Sequence, residues 1–209
     1  MKNLLSCFFL LAALSVAWGQ PQPGKPGNFD YYLFTLSWSP EYCHSHSNAV
    51  ECTSGNHFGF IVHGLWPQFF KGGFPEHCSN EASPANPASV SSIMPDPRLI
   101  QHEWSTHGTC SGLDATQYFA LIRKTFDSIS IPKEFVNPNR TITLRPSEVK
   151  QAFLQANPKI TSESIAINCP QNFLTGVQIC VSKAGTPISC PPNAARDCRA
   201  NTIRVPPVR

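Results

Sequence analysis

The cysteines limit what this 209-residue chain can fold into more than any other feature of its sequence. Of the nine cysteines, Cys7 lies in an apolar run at the start of the chain. The other eight are spread over the rest of the sequence: Cys43, Cys52, Cys78, Cys110, Cys169, Cys180, Cys190 and Cys198. An even number behind an export signal predicts four disulfides formed in an oxidising compartment. Because eight cysteines allow about 105 pairings, this reasoning leaves the connectivity open.

The first 19 residues are typical of a secretory signal peptide. Residues 1–3 carry a positive charge, residues 4–16 form an apolar run, and Ala17 and Gly19 supply the small residues of a cleavage site. We expect cleavage between Gly19 and Gln20 and a secreted product, extracellular or periplasmic. The apolar run is too short to be a convincing membrane span, and no second run follows, so no membrane association is expected.

About 190 residues remain after cleavage, which is enough for one domain with its own core, and we expect that domain to occupy residues 20–209. No internal repeat or linker interrupts this region. The formal charge of +3 falls to +2 when Lys2 leaves with the signal peptide. Such a mild positive charge permits an acidic partner such as RNA, but ordinary charge scatter explains it equally well.

Hydrophobic patterns and turn residues predict both strands and helices. The predicted strands are 31–38, 58–63, 164–168, 175–182 and 187–190, and Gly64 and Pro67 are expected to end the second. Helices are predicted over 97–107, 115–128 and 146–157. The first of these helices begins at the Asp96-Pro97 pair and is expected to stop at Gly108. Residues 20–28 are interpreted as a disordered lead-in and 43–52 as a polar loop.

The long loop predicted over residues 68–86 carries Phe69, Phe70 and Phe74 around Lys71. Exposed aromatic rings beside a basic residue can stack on nucleic acid bases. The same side chains could instead fill the core beneath the loop. The sequence favours neither alternative, and Phe70 is kept as a candidate contact to a base.

Two short segments, residues 60–67 and 102–110, concentrate the side chains that carry chemistry. The first contains His63 and Trp66, and the second contains His102, Glu103 and His107. Glu103 and His107 are four residues apart and share a helix face, across which a strand bearing His63 could pack. Taken singly, a buried histidine is usually a core residue and a Glu–His pair is often a surface pair. Their combination in two compact segments favours a functional site.

Two histidines with a carboxylate and a third histidine suit the cleavage of RNA at phosphorus. One imidazole removes the proton of the ribose 2′-OH and the other protonates the departing 5′-oxygen, since both have a pKa near the working pH. The carboxylate and the third histidine can hold the phosphate and stabilise charge in the transition state. The product is a 2′,3′-cyclic phosphate, and DNA, which lacks the 2′-OH, is not expected to be cleaved. No cofactor or metal is expected.

A zinc hydrolase is the main alternative chemistry. In a His-Glu-x-x-His motif the two histidines lie one helical turn apart. Here His102 and His107 are five residues apart, about 140° around a regular helix, so we expect the two rings not to meet at one metal. No Cys-x-x-Cys pair occurs, and the absence of Gly-x-Ser-x-Gly disfavours a serine hydrolase.

Residues 60–67 and 102–110 resemble the two active-site segments of the ribonuclease T2 family. Residues 38–43, Trp-Ser-Pro-Glu-Tyr-Cys, are similar to that family's Trp-Pro-Pro-x-Tyr-Cys. The resemblance implies an α+β fold, a single domain with an antiparallel sheet flanked by several helices and stapled by four disulfides. It also implies their pairing: Cys43–Cys52, Cys78–Cys110, Cys169–Cys198 and Cys180–Cys190.

The resemblance further implies a role for each site residue. His63 and His107 would be the two acid–base residues, with His107 favoured as the base and His63 as the acid. Glu103 would help to stabilise the pentacoordinate phosphorus, His102 would bind phosphate, and Trp66 would stack against a base. The implied substrate is single-stranded RNA, and the protein is expected to be a monomer.

One position departs from the family pattern. The family usually has a lysine just before the second catalytic histidine, where this chain has Thr106. Loss of a charged donor is expected to cost about 1–3 kcal/mol of transition-state stabilisation, so we expect an active but slower enzyme. Arg98 and Lys71 are the cations considered as replacements. Gln68 stands at a position that the family uses for base preference.

A non-catalytic or weakly catalytic relative is the competing function, serving as an RNA-binding, cytotoxic or storage protein. Loss of His63 or His107 would have favoured it. Because both histidines are present, the sequence predicts an enzyme.

Overall fold

A computed structural model of the protein describes residues 21–84, 87–192 and 194–208. The signal peptide expected over residues 1–19 and its cleavage site lie outside these residues. The centre of the fold is a four-stranded antiparallel sheet with the strand order β3-β2-β7-β6. Its strands are β2 (Tyr31–Trp38), β3 (Phe60–Gln68), β6 (Ile165–Asn168) and β7 (Gly176–Val181).

Two small sheets lie beside the central one. β1 (Pro21–Pro23) pairs in parallel with β4 (Phe74–Glu76), and β5 (Ile142–Leu144) pairs antiparallel with β8 (Ile203–Val205). The prediction that the lead-in is disordered is therefore wrong for residues 21–23, which pair with the loop after β3. The strand predicted over 187–190 is also wrong, because only an isolated bridge between Val181 and Pro187 forms there.

β2 lies between β3 and β7, so both of its edges are paired, and its residues are buried on both faces of the sheet. Phe34 and Leu36 face the main core, where they pack with Trp104, Phe119 and Phe153 from three helices, and all five are fully buried. The other face meets a smaller apolar cluster. A strand buried on both faces reads as an almost continuous apolar run, and residues 31–38 have this pattern.

β3 differs from its prediction in length. Gly64 and Pro67 were expected to end it at His63, but it continues to Gln68 and pairs with β2 along that length. β3 is one of the two edge strands of the central sheet, and proline is tolerated on an edge because its missing N–H removes no bond to a second neighbour. Pro67, although proline usually breaks a strand, is therefore compatible with β3.

The helices are α1 (Ser39–Ser45), α2 (Val50–Thr53), α3 (Pro97–Thr106), α4 (Ala115–Asp127) and α5 (Pro146–Ala156). α3, α4 and α5 match their predictions to within one residue at each end. α3 starts as expected, because the Asp96 side chain accepts a hydrogen bond from the Arg98 backbone N–H at 2.8 Å. α1 and α2 occupy most of the segment that was interpreted as a polar loop.

The four disulfides implied by the resemblance are all present: Cys43–Cys52, Cys78–Cys110, Cys169–Cys198 and Cys180–Cys190. The expected α+β class, with an antiparallel sheet flanked by helices, is thus confirmed. Cys78–Cys110 ties the segment after β4 to the 3₁₀ turn that follows α3. Across the described part of the chain, no helix has both the length and the apolar character needed to cross a bilayer.

Candidate active site

His63 is carried by an irregularity in β3. In the pairing of β2 with β3, His63 is an extra residue between Val62 and Gly64 and has no opposite partner. Such a bulge re-aims the side chain of the extra residue. The Nδ1 atom of His63 lies 2.9 Å from Ser37 Oγ, and its Nε2 atom lies 3.7 Å from Glu103 Oε1. The ring is thus held from behind by β2 and faces the carboxyl group of α3.

Glu103 is fully buried on α3 beneath the two histidines. Its Oε2 accepts a hydrogen bond of 2.7 Å from the indole Nε1 of Trp66. Its Oε1 has no hydrogen-bond partner among the described residues. An unsatisfied buried oxygen is costly, and such atoms in native proteins often mark a functional role. The carboxyl group fits at this place because residue 64 is a glycine.

His107 lies just beyond α3. The helix ends at Thr106, and His107 is its C-cap with φ −115° and ψ −44°. Its ring centroid is 5.4 Å from that of Trp66 and 6.3 Å from that of His102. Only 8% of His107 is exposed, and its Nδ1 has no hydrogen-bond partner among the described residues.

Gly108 follows His107 but does not stop α3 in the way that was predicted. A helix-ending glycine usually adopts a positive φ, and Gly108 is not among the glycines with that conformation. Its role is close packing, since a Cβ atom there would come within 2.4 Å of Trp104 Cε3.

The three side chains His102, Glu103 and His107 offer ligand atoms that all lie within 4.8 Å of one another. The prediction that a five-residue spacing keeps the two imidazoles apart is therefore wrong. An angle of about 140° holds only within a regular helix, and His107 lies outside it. A metal bound here would have to displace the proton of Glu103, because a carboxyl group must lose its proton to bind one.

Burial raises the pKa of Glu103 to about 8, and the hydrogen bond from Trp66 only partly offsets this effect. The carboxyl group is therefore protonated at acid and neutral pH. Because Oε2 accepts from the indole, the proton resides on Oε1, which faces His63. Glu103 is thus placed to donate a hydrogen bond toward the open side of the site.

The two catalytic candidates among the histidines differ in their electrostatics. Burial, and then the positive charges of His102, His63 and His77, lower the pKa of His107 to about 3. Burial, and then His102, also lowers the pKa of His63. His63 faces fewer cations and its side chain is 42% exposed, so its pKa stays above that of His107.

The contact between His63 and Glu103 has the length of an ion pair, but it is not one over most of the pH range. The pKa of His63 is lowered and the pKa of Glu103 is raised, and each shift favours the neutral form of the group. When both are neutral, a carboxylic acid faces an imidazole. This arrangement avoids a buried charge that no partner compensates.

Thr106 does not bring a cation to the site. It is buried, and its Oγ1 lies 3.4 Å from His102 Nδ1, so its side chain orients a neighbouring histidine. Arg98 does not replace the missing lysine, because it pairs with Asp96 at the other end of α3, about 12 Å away along the helix. Lys71 lies on the exposed turn between β3 and β4.

Trp66 lies between the two catalytic histidine candidates. Its ring is 5.4 Å from each of His63 and His107, measured between centroids, and one side packs on the smaller apolar cluster. Together with the bond to Glu103, these contacts show that it supports the site from within. Stacking on a base, which the resemblance implies, stays a prediction.

The loop after β3 combines both alternatives that the sequence left open. Phe69 is partly buried and packs against the main core, whereas Phe70 is 55% exposed. Phe70 stacks on Tyr31 with a centroid distance of 5.4 Å, and its N–H donates to Asp30 Oδ2 at 2.7 Å. Gln68 is the last residue of β3 and is buried.

Two residues of the site were missed at the level of sequence. Ser37 is one of two polar residues, with Thr35, in a strand that is otherwise apolar or aromatic, and this interruption is the signal that could have singled it out. His77 immediately precedes Cys78, whose bridge to Cys110 brings it to the end of α3. The implied disulfide pairing could therefore have placed His77 at the end of α3, where its Nδ1 lies 3.2 Å from the Ser105 carbonyl oxygen.

Comparisons with known proteins show the family and the fold. Residues 29–190 match the model of the ribonuclease T2 family. A ribonuclease from Aeromonas hydrophila is 31% identical over 192 residues, which cover 89% of this chain and 87% of the relative. The fold is shared with an RNase-related protein from Calystegia sepium, with a TM-score of 0.71, 22% identity, and coverage of 87% of this chain and 98% of that chain. RNase NT, solved in complex with 5′-AMP, gives a TM-score of 0.64 at 27% identity over 86% of this chain and 99% of that chain.

Proposed function

This chain belongs to the ribonuclease T2 family of endoribonucleases, and we propose that it cleaves single-stranded RNA by metal-independent transesterification through a 2′,3′-cyclic phosphate. One observation carries the proposal: two histidines meet at the buried carboxyl group of Glu103, with His63 Nε2 3.7 Å from its Oε1 and a ligand atom of His107 within 4.8 Å of a carboxyl oxygen. This arrangement supplies a base, an acid and a neutral donor within one small site.

His107 is the base and His63 is the acid. A base must be unprotonated before the reaction, and His107, with a pKa of about 3, meets this condition at any mildly acidic pH. The acid must carry a proton, and His63 has the higher pKa of the two. His107 takes the proton of the 2′-OH, the 2′-oxygen bonds to phosphorus, and the departing 5′-oxygen receives its proton from His63.

Glu103 and His102 act on the phosphate. The protonated Oε1 of Glu103 can donate to a non-bridging oxygen as negative charge grows on it. His102 is exposed at the same side of the site, with its Nδ1 held by Thr106. His102 is placed to bind the phosphate before the reaction, and its presence lowers the pKa of both catalytic histidines.

Three further residues are proposed to contact bases. Phe70 presents an exposed ring whose orientation is fixed by Tyr31, and such a ring stacks on a base of any identity. Trp66 and Gln68 lie between Phe70 and the catalytic groups along the chain. A duplex would not present unstacked bases to these side chains, so single strands are the favoured substrate.

We also propose that residues 1–19 are a signal peptide and that the mature protein is a secreted monomer with no membrane association. Four disulfides are consistent with an oxidising compartment. N-terminal sequencing of the exported protein should begin at Gln20, and light scattering should give the mass of one chain.

Digestion of RNA in excess EDTA tests the chemistry. The pure protein should cleave a single-stranded oligonucleotide, leave its all-deoxy counterpart intact, and produce ends that are 2′,3′-cyclic phosphates. Complete dependence on added metal would revive the zinc alternative at His102, Glu103 and His107. No cleavage between pH 4 and 8 would contradict the proposal.

Substitution of either histidine tests the assignment of roles. His63→Phe and His107→Phe should each abolish turnover while the folded structure is retained. Activity within a few-fold of the parent in either variant would show that the catalytic pair is wrong.

A further inference from the structure

The two ring nitrogens of His63 face different partners. Ser37 Oγ lies 2.9 Å from Nδ1, and Glu103 Oε1 lies 3.7 Å from Nε2. In a neutral imidazole one nitrogen carries the hydrogen and the other has a free lone pair. The hydrogen bond made by one nitrogen determines which of these two forms is present, and with it the chemistry of the other nitrogen.

The backbone of the central sheet fixes the contact between Ser37 and His63. Ser37 is opposite Ile61 in the pairing of β2 with β3, and His63 follows two positions later as the extra residue of the bulge. On the other side of β2, Ser37 is opposite Gly176 of β7, which has no side chain that could compete for the hydroxyl group. The position of the hydroxyl group is therefore set by the strands.

The carboxyl group of Glu103 favours one of the two neutral forms of His63. Its Oε2 accepts the hydrogen bond from Trp66, so the proton of the carboxyl group lies on Oε1 and faces Nε2 of His63. A hydrogen on Nε2 would point at that proton, whereas a lone pair on Nε2 is attracted to it. The neutral ring then carries its hydrogen on Nδ1, and Ser37 Oγ accepts it. Burial raises the pKa of Glu103 to about 8 and lowers that of His63, so Glu103 is still protonated when His63 becomes neutral.

The form of neutral His63 matters in the second half of the reaction. In the first half, His63 has a hydrogen on each nitrogen and gives the one on Nε2 to the departing 5′-oxygen. Hydrolysis of the cyclic phosphate then requires Nε2 to take a proton from water while the water oxygen bonds to phosphorus. The bond from phosphorus to the 2′-oxygen breaks, and His107 returns its proton to that oxygen. Only a ring with a free lone pair on Nε2 can serve as this base.

We propose that Ser37 is a positioning residue for hydrolysis of the cyclic phosphate, which holds neutral His63 with its hydrogen on Nδ1 and its lone pair on Nε2. This inference rests on the proposed transesterification, which supplies the cyclic phosphate. A hydroxyl group suits the role because it accepts from Nδ1 without bringing a negative charge. A carboxylate in its place would raise the pKa of His63 and make it a weaker acid in the first half of the reaction.

Separate assays of the two half-reactions test the role of Ser37. A dinucleotide reports transesterification, and a 2′,3′-cyclic mononucleotide reports hydrolysis. Ser37→Ala should lower kcat for hydrolysis about tenfold, because neutral His63 then populates both forms, and should lower kcat for transesterification by about threefold at most. Ser37→Thr keeps a hydroxyl group and should restore the parental ratio of the two rates.

Thr35→Val is the matched control. Thr35 lies two residues before Ser37 on the same face of β2, and its Oγ1 has no hydrogen-bond partner among the described residues. Removal of that hydroxyl group should leave both half-reactions at the parental rate. The control thus separates the contact with His63 from the general effect of a polar group in this strand.

NMR of the parent tests the same role without a substitution. At pH 7 His63 is neutral, because its pKa lies below the usual 6.5, and the nitrogen shifts of its ring should place the hydrogen on Nδ1. A hydrogen on Nε2, or an equal loss of both half-reactions in Ser37→Ala, would overturn the role of Ser37. Cyclic phosphate ends from the parent in that case would leave the proposed function intact, and their absence from the parent would instead contradict the proposed function.

Discussion

Gly64 and Glu103 lie so close that a Cβ atom at residue 64 would be only 1.9 Å from Glu103 Oε2. The same Cβ atom would be 2.4 Å from the indole Nε1 of Trp66. A side chain of any size would therefore displace the carboxyl group and break the hydrogen bond that orients it. The glycine in the first active-site segment is required by this close approach.

Gly64→Ala should reduce kcat by about a hundredfold, because a donor preorganised for the phosphate is displaced. Overpacking of the site should also lower the free energy of unfolding by about 1–3 kcal/mol. Gly59→Ala is the control, since its Cβ would meet neighbours at 3.3 Å or more. Single-turnover kinetics and urea denaturation measure the two effects. A Gly64→Ala enzyme with parental kcat would show that the position of Glu103 is unimportant.

Glu103 and His107 should shape the pH dependence of stability in opposite directions. The pKa of Glu103 rises from 4.5 to about 8 on folding, so its stabilising effect is complete below pH 4.5 and is lost as the pH rises through 8. The pKa of His107 falls from 6.5 to about 3, so its effect is complete above pH 6.5 and is lost as the pH falls toward 3. The two proton differences cancel between pH 4.5 and 6.5, where stability should be flat.

Glu103→Gln should therefore remove the alkaline decline. In the parent, each group sets a limiting slope of about 1.4 kcal/mol per pH unit in the free energy of unfolding. Glutamine cannot release a proton, so it contributes no such slope. Urea denaturation at several values between pH 5 and 8 measures the slope. Glu134→Gln, at an exposed position, is the control and should keep the parental decline. A decline of equal slope in Glu103→Gln would contradict the raised pKa of Glu103.

The activity should have an acidic optimum. kcat/KM requires His107 unprotonated and His63 protonated, so the acid limb should lie near pH 3 and the alkaline limb below pH 6.5. His102→Gln should move both limbs upward, because the charge of His102 lowers the pKa of both histidines. Cleavage of a dinucleotide between pH 2.5 and 8 measures the profile. An optimum at or above pH 7 would exclude this pair of pKa values.

Trp66→Phe should separate support of Glu103 from stacking on a base. Phenylalanine keeps a ring that can stack but has no N–H for the Glu103 oxygen, so kcat should fall about tenfold while KM stays near the parental value. The pKa of Glu103 should also rise, since in the parent the hydrogen bond from Trp66 lowers it. Steady-state kinetics and NMR titration of the carboxyl carbon measure these changes. A change confined to KM would assign Trp66 to the substrate alone.

The fold could be predicted where local sequence and burial agree. Residues 31–38 are apolar on both faces and form a strand with the predicted ends, and the capped α3 begins where Asp96 and Pro97 indicate. β3 was misjudged because Gly64 and Pro67 break strands in general. Here an edge position accepts the proline, and a buried carboxyl group from α3 requires the glycine. Neither the edge position of β3 nor the approach of Glu103 can be predicted from the residues next to Gly64 and Pro67 in the sequence.

The members of the site could be predicted, but their geometry could not. Residue types and spacing singled out His63, Glu103 and His107, and the structure brings them together. Whether the rings of His102 and His107 lie close together depends on where α3 ends. The number of residues between them does not determine this. His77 is brought to the end of α3 by the disulfide of its neighbour Cys78, a connection that spans 32 residues of sequence.

Phe70→Ala should weaken substrate binding without slowing the chemical step. Its ring is 55% exposed and stacked on Tyr31, away from the catalytic groups, so its loss should raise KM for oligonucleotides by about five- to fiftyfold at unchanged kcat. Val136→Ala is the control, because Val136 is 60% exposed and belongs to the segment before β5. Steady-state kinetics on oligonucleotides of increasing length would also locate the contact, since the effect should vanish for substrates too short to reach Phe70. Equal KM values for Phe70→Ala and Val136→Ala on long substrates would remove Phe70 from the binding surface.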